Sequence, residues 1–237
     1  MRLIDSGACG PQETLWREDA ILEARSRDLI PDTLHVYRRD RPTISMGRFS
    51  RREDCLDEEE VRRHGVQVIR RSSGGSCIYT DEDQLIYSVT MDRGSLPETR
   101  KEIFPLLCSG IVQALQLLGV EAEYKPINDV LVGGRKISGS AQIRRRGALL
   151  QHGTLIMRLD RDRTDSVLRP VKPRSYDGLT SLQEHGVNVG WDKVVEALRQ
   201  GFQDVLDQTI VPGTFTAWEE DYVNERRSVN DAPCCPR

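Results

Sequence analysis

No stretch of this sequence reaches the roughly 18 consecutive apolar residues a membrane-spanning helix needs. The opening residues, Met1-Arg2-Leu3-Ile4-Asp5-Ser6-Gly7, lack a long apolar core of the secretory kind. The expectation is a soluble, cytoplasmic protein with no membrane contact. A basic surplus is also missing: the net charge is -3, which argues against a nucleic-acid binder. The six cysteines, at 9, 55, 77, 108, 234 and 235, contain no CxxC pair, so a structural zinc site is not expected. Thiols scattered in this way fit a reducing compartment. Internal repeats and low-complexity linkers are absent as well.

What is present is a chain of 237 residues, 38% hydrophobic, long enough for one large catalytic domain. Periodicity predicts helices over 14–26, 55–64, 102–118 and 191–206. Gly65 and Gly119 stand where helices of this kind end. Strands are predicted at 34–37, 44–47, 66–69, 84–89, 130–132, 135–138 and 149–157, with Gly133-Gly134 as a two-residue hairpin turn. The order is not a repeating βαβ pattern, so the expected class is α+β, a mixed, mostly antiparallel sheet flanked by helices. Residues 1–223 are assigned to the domain and 224–237 to a loose polar tail, in which the vicinal Cys234-Cys235 has no expected role.

Three segments carry chemistry. Arg70-Arg71-Ser72-Ser73-Gly74-Gly75 follows a strand, and its paired glycines and arginines suit close approach to an anion. The same string is also an ordinary hairpin loop, and no GK[ST] follows to make it a Walker loop. In Asn128 to Gln142, period-two alternation puts Lys136, Ser138 and Ser140 on one face, an ammonium beside two hydroxyls. A fixed cation there would bind a carboxylate and a phosphate oxygen together and stabilise the charge that spreads as the carboxylate attacks phosphorus, though a surface lysine on a hairpin reads the same way. In Gln151-His152-Gly153-Thr154, His152 and Thr154 share a face and Gly153 allows a close approach; a buried, hydrogen-bonded histidine is the plainer reading.

These three strings in this order, with PTISMG at 42–47, resemble the lipoate–protein ligase A family. The resemblance implies a class II biotin/lipoate ligase-like catalytic domain. It also implies a reaction in which lipoate and ATP, with Mg2+, give lipoyl-AMP. An acceptor lysine on an E2 domain, a glycine-cleavage H protein or a similar carrier then takes the lipoyl group. On this resemblance Lys136 is the catalytic lysine. The lipoyl-adenylate is bound by Arg71, Ser73, Gly74, Gly75, Cys77, Asn128, Asp129, Ser138, Ala141, His152, Gly153 and Thr154. Asp129 is also assigned to the metal. Ile44, Met46 and Ile78 are expected to line the alkyl tunnel. No C-terminal accessory domain is recognisable, which implies a separate accessory subunit for adenylation.

Three positions depart from the family pattern: Ser76-Cys77 and Thr80 in the loop, and the short C-terminus. Two other readings stand beside the ligase. One is an octanoyltransferase that passes octanoyl between carrier proteins through a cysteine thioester, without ATP. Cysteine-dependent transferases that resemble this chain carry the cysteine just upstream of the lysine hairpin, where 121–131 contains none. The other is a non-catalytic binding protein on the same fold.

Overall fold

The strand Gln84–Asp92 is buried along all but its last residue, which requires packed layers on both of its faces. It is β6 of a computed structural model that describes residues 1–169 and 178–231. In chain order the strands are β1 (Arg2–Cys9), β2 (Thr33–Arg39), β3 (Thr43–Met46), β4 (Gln67–Arg70), β5 (Ile78–Thr80), β6, β7 (Glu123–Lys125), β8 (Asp129–Val132), β9 (Arg135–Arg145), β10 (Ala148–Ile156) and β11 (Val211–Pro212). The helices are α1 (Pro11–Ser26), α2 (Arg52–Cys55), α3 (Glu58–Arg63), α4 (Arg100–Leu117), α5 (Arg161–Val167), α6 (Trp191–Leu206) and α7 (Ala217–Asp231).

Eight strands form one sheet in the order β11-β1-β2-β6-β10-β9-β8-β7, and β4-β3-β5 form a second, smaller sheet. Pairing is mostly antiparallel, with parallel pairs at β11-β1-β2 and β3-β4. The fold is therefore the expected mixed α+β arrangement. Helices α4 and α6 cover one face of the large sheet. Their apolar stripes pack with Leu85, Tyr87 and Val89 of β6 and Leu149 and Leu155 of β10. The two helices cross closely because Gly201 lies on the Gly110 carbonyl and Gly110 lies under the Phe202 ring, where a Cβ would clash. On the other face α1 packs Leu22 against Ala148 and Leu150 of β10.

Several elements differ from the sequence reading. The helix expected over 55–64 is broken, because the Asp57 side chain accepts from the amides of Glu59 and Glu60 and starts α3 afresh. Helix continues from Ala217 past the assigned boundary at 223 to Asp231, so 224–231 is not the loose tail expected. Thr216 and Glu219 form reciprocal bonds at its start: Glu219 accepts from the Thr216 amide at 2.8 Å, and the Glu219 amide donates to Thr216 Oγ1. Glu219 also pairs with Arg2 of β1 in a fully buried contact. Cys234 and Cys235 lie outside the described residues. Among the described residues, no helix is long and apolar enough to cross a membrane.

Candidate active site

The face of the large sheet that carries Leu150 also carries His152 and Thr154, two and four residues further along β10. Antiparallel pairing sets His152 opposite Ala141 and Thr154 opposite Gly139 in β9, so these four share that face. They line a cavity of about 890 Å³, together with Lys136, Asn128, Gly153 and the loop residues Arg71, Gly74, Gly75 and Cys77.

Lys136 reaches this face by a route that simple alternation misses. The β8–β9 register shifts so that Val130 faces Ser138 while Leu131 faces Lys136, leaving Ile137 as an extra residue. Beyond this bulge Lys136 shares the face of Gly139 rather than that of Ser138. Its side chain crosses Gly139 where a Cβ would stand, so a larger residue there would displace the ammonium. Ser138 and Ser140 turn to the opposite face, toward Tyr87 and Cys108, with Ser140 Oγ 3.6 Å from Cys108 Sγ. The expected lysine–serine–serine face is thus corrected, and Ser138 is buried away from the cavity. The Lys136 backbone is pinned on its other edge: its amide donates to the Gly178 carbonyl and its carbonyl accepts from Thr180.

Asp129 Oδ1 lies 2.6 Å from Lys136 Nζ. The carboxylate expected to hold magnesium therefore engages the ammonium. Among the described residues, no group of three or more His, Cys, Asp or Glu side chains is placed to hold a metal ion. Asn128 clamps β8 to β9 by exchanging bonds with the Ser140 backbone.

The glycine loop is held from beneath. Arg71 is buried and uses four of its N–H groups within the protein: Nε donates to Ser73 Oγ, Nη1 to the Ser45 carbonyl, and Nη2 to the Gly74 and Ser76 carbonyls. Burial lowers its pKa from the ordinary arginine value. Arg70 braces the neighbouring turn through the carbonyls of Gly47, Arg48 and Ser50. Both arginines thus shape the loop. Gly75 has φ +93°, and its carbonyl lies against Gly47, which explains the glycine of the PTISMG string.

Ser73 does not line the cavity, but its Oγ lies 2.6 Å from His152 Nε2. His152 Nδ1 lies 2.7 Å from Glu18 Oε2, and Glu18 Oε1 accepts from Tyr37 at 2.9 Å. A chain Ser73–His152–Glu18–Tyr37 therefore ties the loop to the sheet and to α1. Burial pushes the Glu18 carboxyl up, but the His152 charge and hydrogen bond, with the Tyr37 bond, outweigh it and hold it below the ordinary glutamate value. Glu18 was not singled out from sequence: it sits in a charged stretch of α1, 134 residues from its partner. Gly153 makes room for the Tyr87 ring, whose oxygen would stand 2.6 Å from an added Cβ.

Of the three residues expected to line an alkyl tunnel, one faces the cavity. Ile78 lines the cavity. Ile44 and Met46 instead pack with Leu56, Val61 and Val167, because in β3 it is the intervening Ser45 that faces the cavity. Leu15, Ile86, Ile156, Leu159 and Leu168 supply apolar wall that sequence reading missed. Cys77 and Cys55 both line the cavity; burial, and then the neighbouring Cys55, push the Cys77 thiol up to about 12. Cys108 lies beneath Ser140 and Gln151 and is pushed up to about 11 by burial.

The chain is 30% identical to octanoyltransferase LipM of Geobacillus kaustophilus, an alignment covering 94% of this chain and 92% of that one. It is 32% identical to octanoyltransferase LipM of Anoxybacillus flavithermus, over 94% and 92%. A solved lipoate-protein ligase A bound with ATP superposes with a TM-score of 0.83 at 26% identity, covering 94% and 92% of the two chains. A bi-partite lipoate protein ligase of Thermoplasma acidophilum gives 0.80 at 26%, over 94% and 90%. The octanoyltransferase relatives overturn the expectation of an AMP-forming lipoate ligase; the lipoyl-AMP, ATP and magnesium of that expectation find no support in them. The reason is chemical: lipoate and octanoate share the acyl head and alkyl chain that the motifs are expected to hold, and that expectation says nothing of the group that leaves. Residues 10–203 match the lipoyl protein ligase A/B catalytic domain, and this chain belongs to that family of enzymes.

Proposed function

We propose that the protein is an octanoyltransferase that moves an octanoyl group from a carrier-bound thioester to a lysine of an acceptor carrier domain, without ATP. The observation that carries this reading is the likeness to octanoyltransferases along nearly their whole length. The cavity is consistent with it: apolar walls for a short alkyl chain, and the Lys136 ammonium presented over Gly139. With no adenylation step, the accessory subunit expected for it has no role.

In this reading the acceptor amine attacks the thioester carbonyl carbon. The carbonyl oxygen gains negative charge, which Lys136 stabilises from a fixed position held by Asp129. The carbon–sulfur bond breaks as the amide forms, and the surplus amine proton ends on the departing carrier thiol. The glycine loop, which lines the cavity through Gly74 and Gly75, is held in place through Ser73 and His152.

Transfer is assigned to a single displacement and not to an enzyme thioester. Burial, and then the neighbouring Cys55, push the Cys77 thiol up to about 12, which works against the thiolate that such a route needs. Cys108 does not line the cavity. The test is incubation of the protein with octanoyl-loaded carrier and apo-acceptor domain, ATP omitted, followed by intact-mass measurement of the acceptor. A gain of one octanoyl group supports the reading; an unmodified acceptor rejects it.

A further inference from the structure

The ladder between β10 and β9 ends at the pair Leu155–Ser138, two residues short of Lys136. On its β8 side, Lys136 pairs with Leu131 only after the register shift at the bulge. A separate segment, 178–180, takes the edge that β10 leaves open. Leu179 bridges Lys136 in parallel, the Lys136 amide donates to the Gly178 carbonyl at 2.9 Å, and the Thr180 amide donates to the Lys136 carbonyl at 2.9 Å. The same segment puts Leu179 in the cavity wall and buries Thr180 completely. The reach of the ammonium into the cavity therefore depends on what holds 178–180 against β9.

One carboxylate gathers the groups that do so. Glu184 lies in the short turn Gln183–His185 that follows this segment. Its Oε2 accepts from Arg135 Nη1 at 2.7 Å and from Thr180 Oγ1 at 3.1 Å, and its Oε1 accepts from Arg161 Nη2 at 2.6 Å. Arg135 precedes Lys136 on β9, and Arg161 is the first residue of α5. The same Arg161 nitrogen donates to the Leu179 carbonyl at 2.9 Å. An exposed ion pair on its own contributes little to stability, as for Glu196 and Arg199 on α6. Here each partner of the carboxylate adjoins Lys136, belongs to segment 178–180 or bonds to it, so what the network sets is geometry. Building on the octanoyltransferase reading, in which Lys136 stabilises charge on the carbonyl oxygen, we infer that Glu184 is a positioning residue: it locks segment 178–180 to β9 and so holds the Lys136 ammonium where that charge develops. Without its charge, Arg135 and Arg161 lose their shared anchor, the segment loosens, and the lysine samples positions off the reacting oxygen. Glu184 does not line the cavity, so the loss falls on turnover and not on binding.

The experiment compares wild type, Glu184→Gln, Lys136→Ala, the double variant, and Glu196→Gln as a control for an ion pair lost elsewhere. Octanoyl transfer from loaded carrier is followed in the steady state, and amide exchange is followed by NMR. Glu184→Gln is expected to lower kcat about tenfold while KM for the donor changes by less than about twofold. In the Lys136→Ala background it is expected to change nothing further, because a residue that acts through another is not additive with it. The Lys136 and Thr180 amides are expected to exchange about tenfold faster in Glu184→Gln, and the amides of 149–153 in β10 at the wild-type rate. Glu184→Asp, which keeps the charge on a shorter arm, is expected to recover part of the kcat, and Glu196→Gln to match wild type. A further tenfold loss on top of Lys136→Ala, a raised KM at unchanged kcat, or unchanged exchange at Lys136 and Thr180 would overturn the inference. Arg161→Gln, which releases the carboxylate and the Leu179 carbonyl together, takes the place of Glu184→Gln if that variant melts early. If wild type transfers no octanoyl group, the function reading fails by itself. Amide exchange then decides the role of Glu184: faster exchange at Lys136 and Thr180 in Glu184→Gln supports it, and equal exchange refutes it.

Discussion

The Lys136 side chain lies across Gly139, in the space a Cβ would occupy, with Asp129 Oδ1 2.6 Å from its ammonium. The bulge at Ile137 creates this relationship, and it is what turns a hairpin lysine toward the cavity. Two substitutions probe it from opposite sides. Lys136→Ala removes the charge, and Gly139→Ala expels it by steric clash. Each is expected to cut octanoyl transfer by about 10²-fold or more, the scale for losing one preorganised charge stabiliser. Single-turnover rates measure this; thermal melts close to wild type show that the fold survives. Near-normal rates in Lys136→Ala would remove Lys136 from the chemistry.

Glu18→Gln tests the tie between α1 and the glycine loop. The amide can still accept from Tyr37, but it loses the charged acceptor for His152. A hydrogen bond to a charged group contributes about 1.5–3 kcal/mol, so the loop should open more often. Faster amide exchange at Ser73 to Gly75 and a raised donor KM are expected. Because the folded pKa of Glu18 is lowered, the tie is complete above the ordinary glutamate value and is lost only as pH falls through the lower folded value. Loop exchange, corrected for its intrinsic pH dependence, should therefore owe no change to Glu18 between pH 6 and 8. Unchanged exchange in Glu18→Gln would break the link.

Burial lowers the pKa of His35 from 6.5 to about 3, so it stays neutral in the fold. In the unfolded chain it takes a proton near its ordinary value. As pH falls below about 6.5 the unfolded state binds more protons, and stability drops by up to about 1.4 kcal/mol per pH unit from this group. Urea denaturation at several pH values between 5 and 8 should show that slope in wild type and a shallower one in His35→Gln. Equal slopes would contradict the assignment.

Much of the fold is legible in the chain. The stripes of α4 and α6 and the Gly133-Gly134 turn, with φ of +55° and +75°, are local patterns that act locally. The failures have physical causes. Ser6-Gly7 interrupts the alternation of β1, and a register irregularity between Asp5 and Ala8 confirms the break. The start of α7 carries a T-x-x-E signature at Thr216 to Glu219 that goes unread because no strong apolar stripe follows it. The face of Lys136 is misassigned because one bulged residue inverts everything beyond it. Glu18 is invisible in sequence because only the folded packing brings α1 to β10. The leaving group is equally invisible, since the motifs are read for an acyl head that lipoate and octanoate share.

Cys77→Ser should transfer octanoyl at a rate close to wild type, and acid-quenched wild type should carry no octanoyl adduct. An adduct on Cys77, with loss of transfer in the serine variant, would replace direct displacement with a thioester route.

The decisive measurement offers one enzyme both acyl sources together. Octanoyl-loaded carrier and free lipoate with ATP and magnesium are mixed with apo-acceptor domain, and the mass of the acceptor is read over time. Acceptor bearing octanoyl alone, at a rate unaffected by leaving out ATP, is the expected result. Acceptor bearing lipoyl, and none modified without ATP, would contradict it.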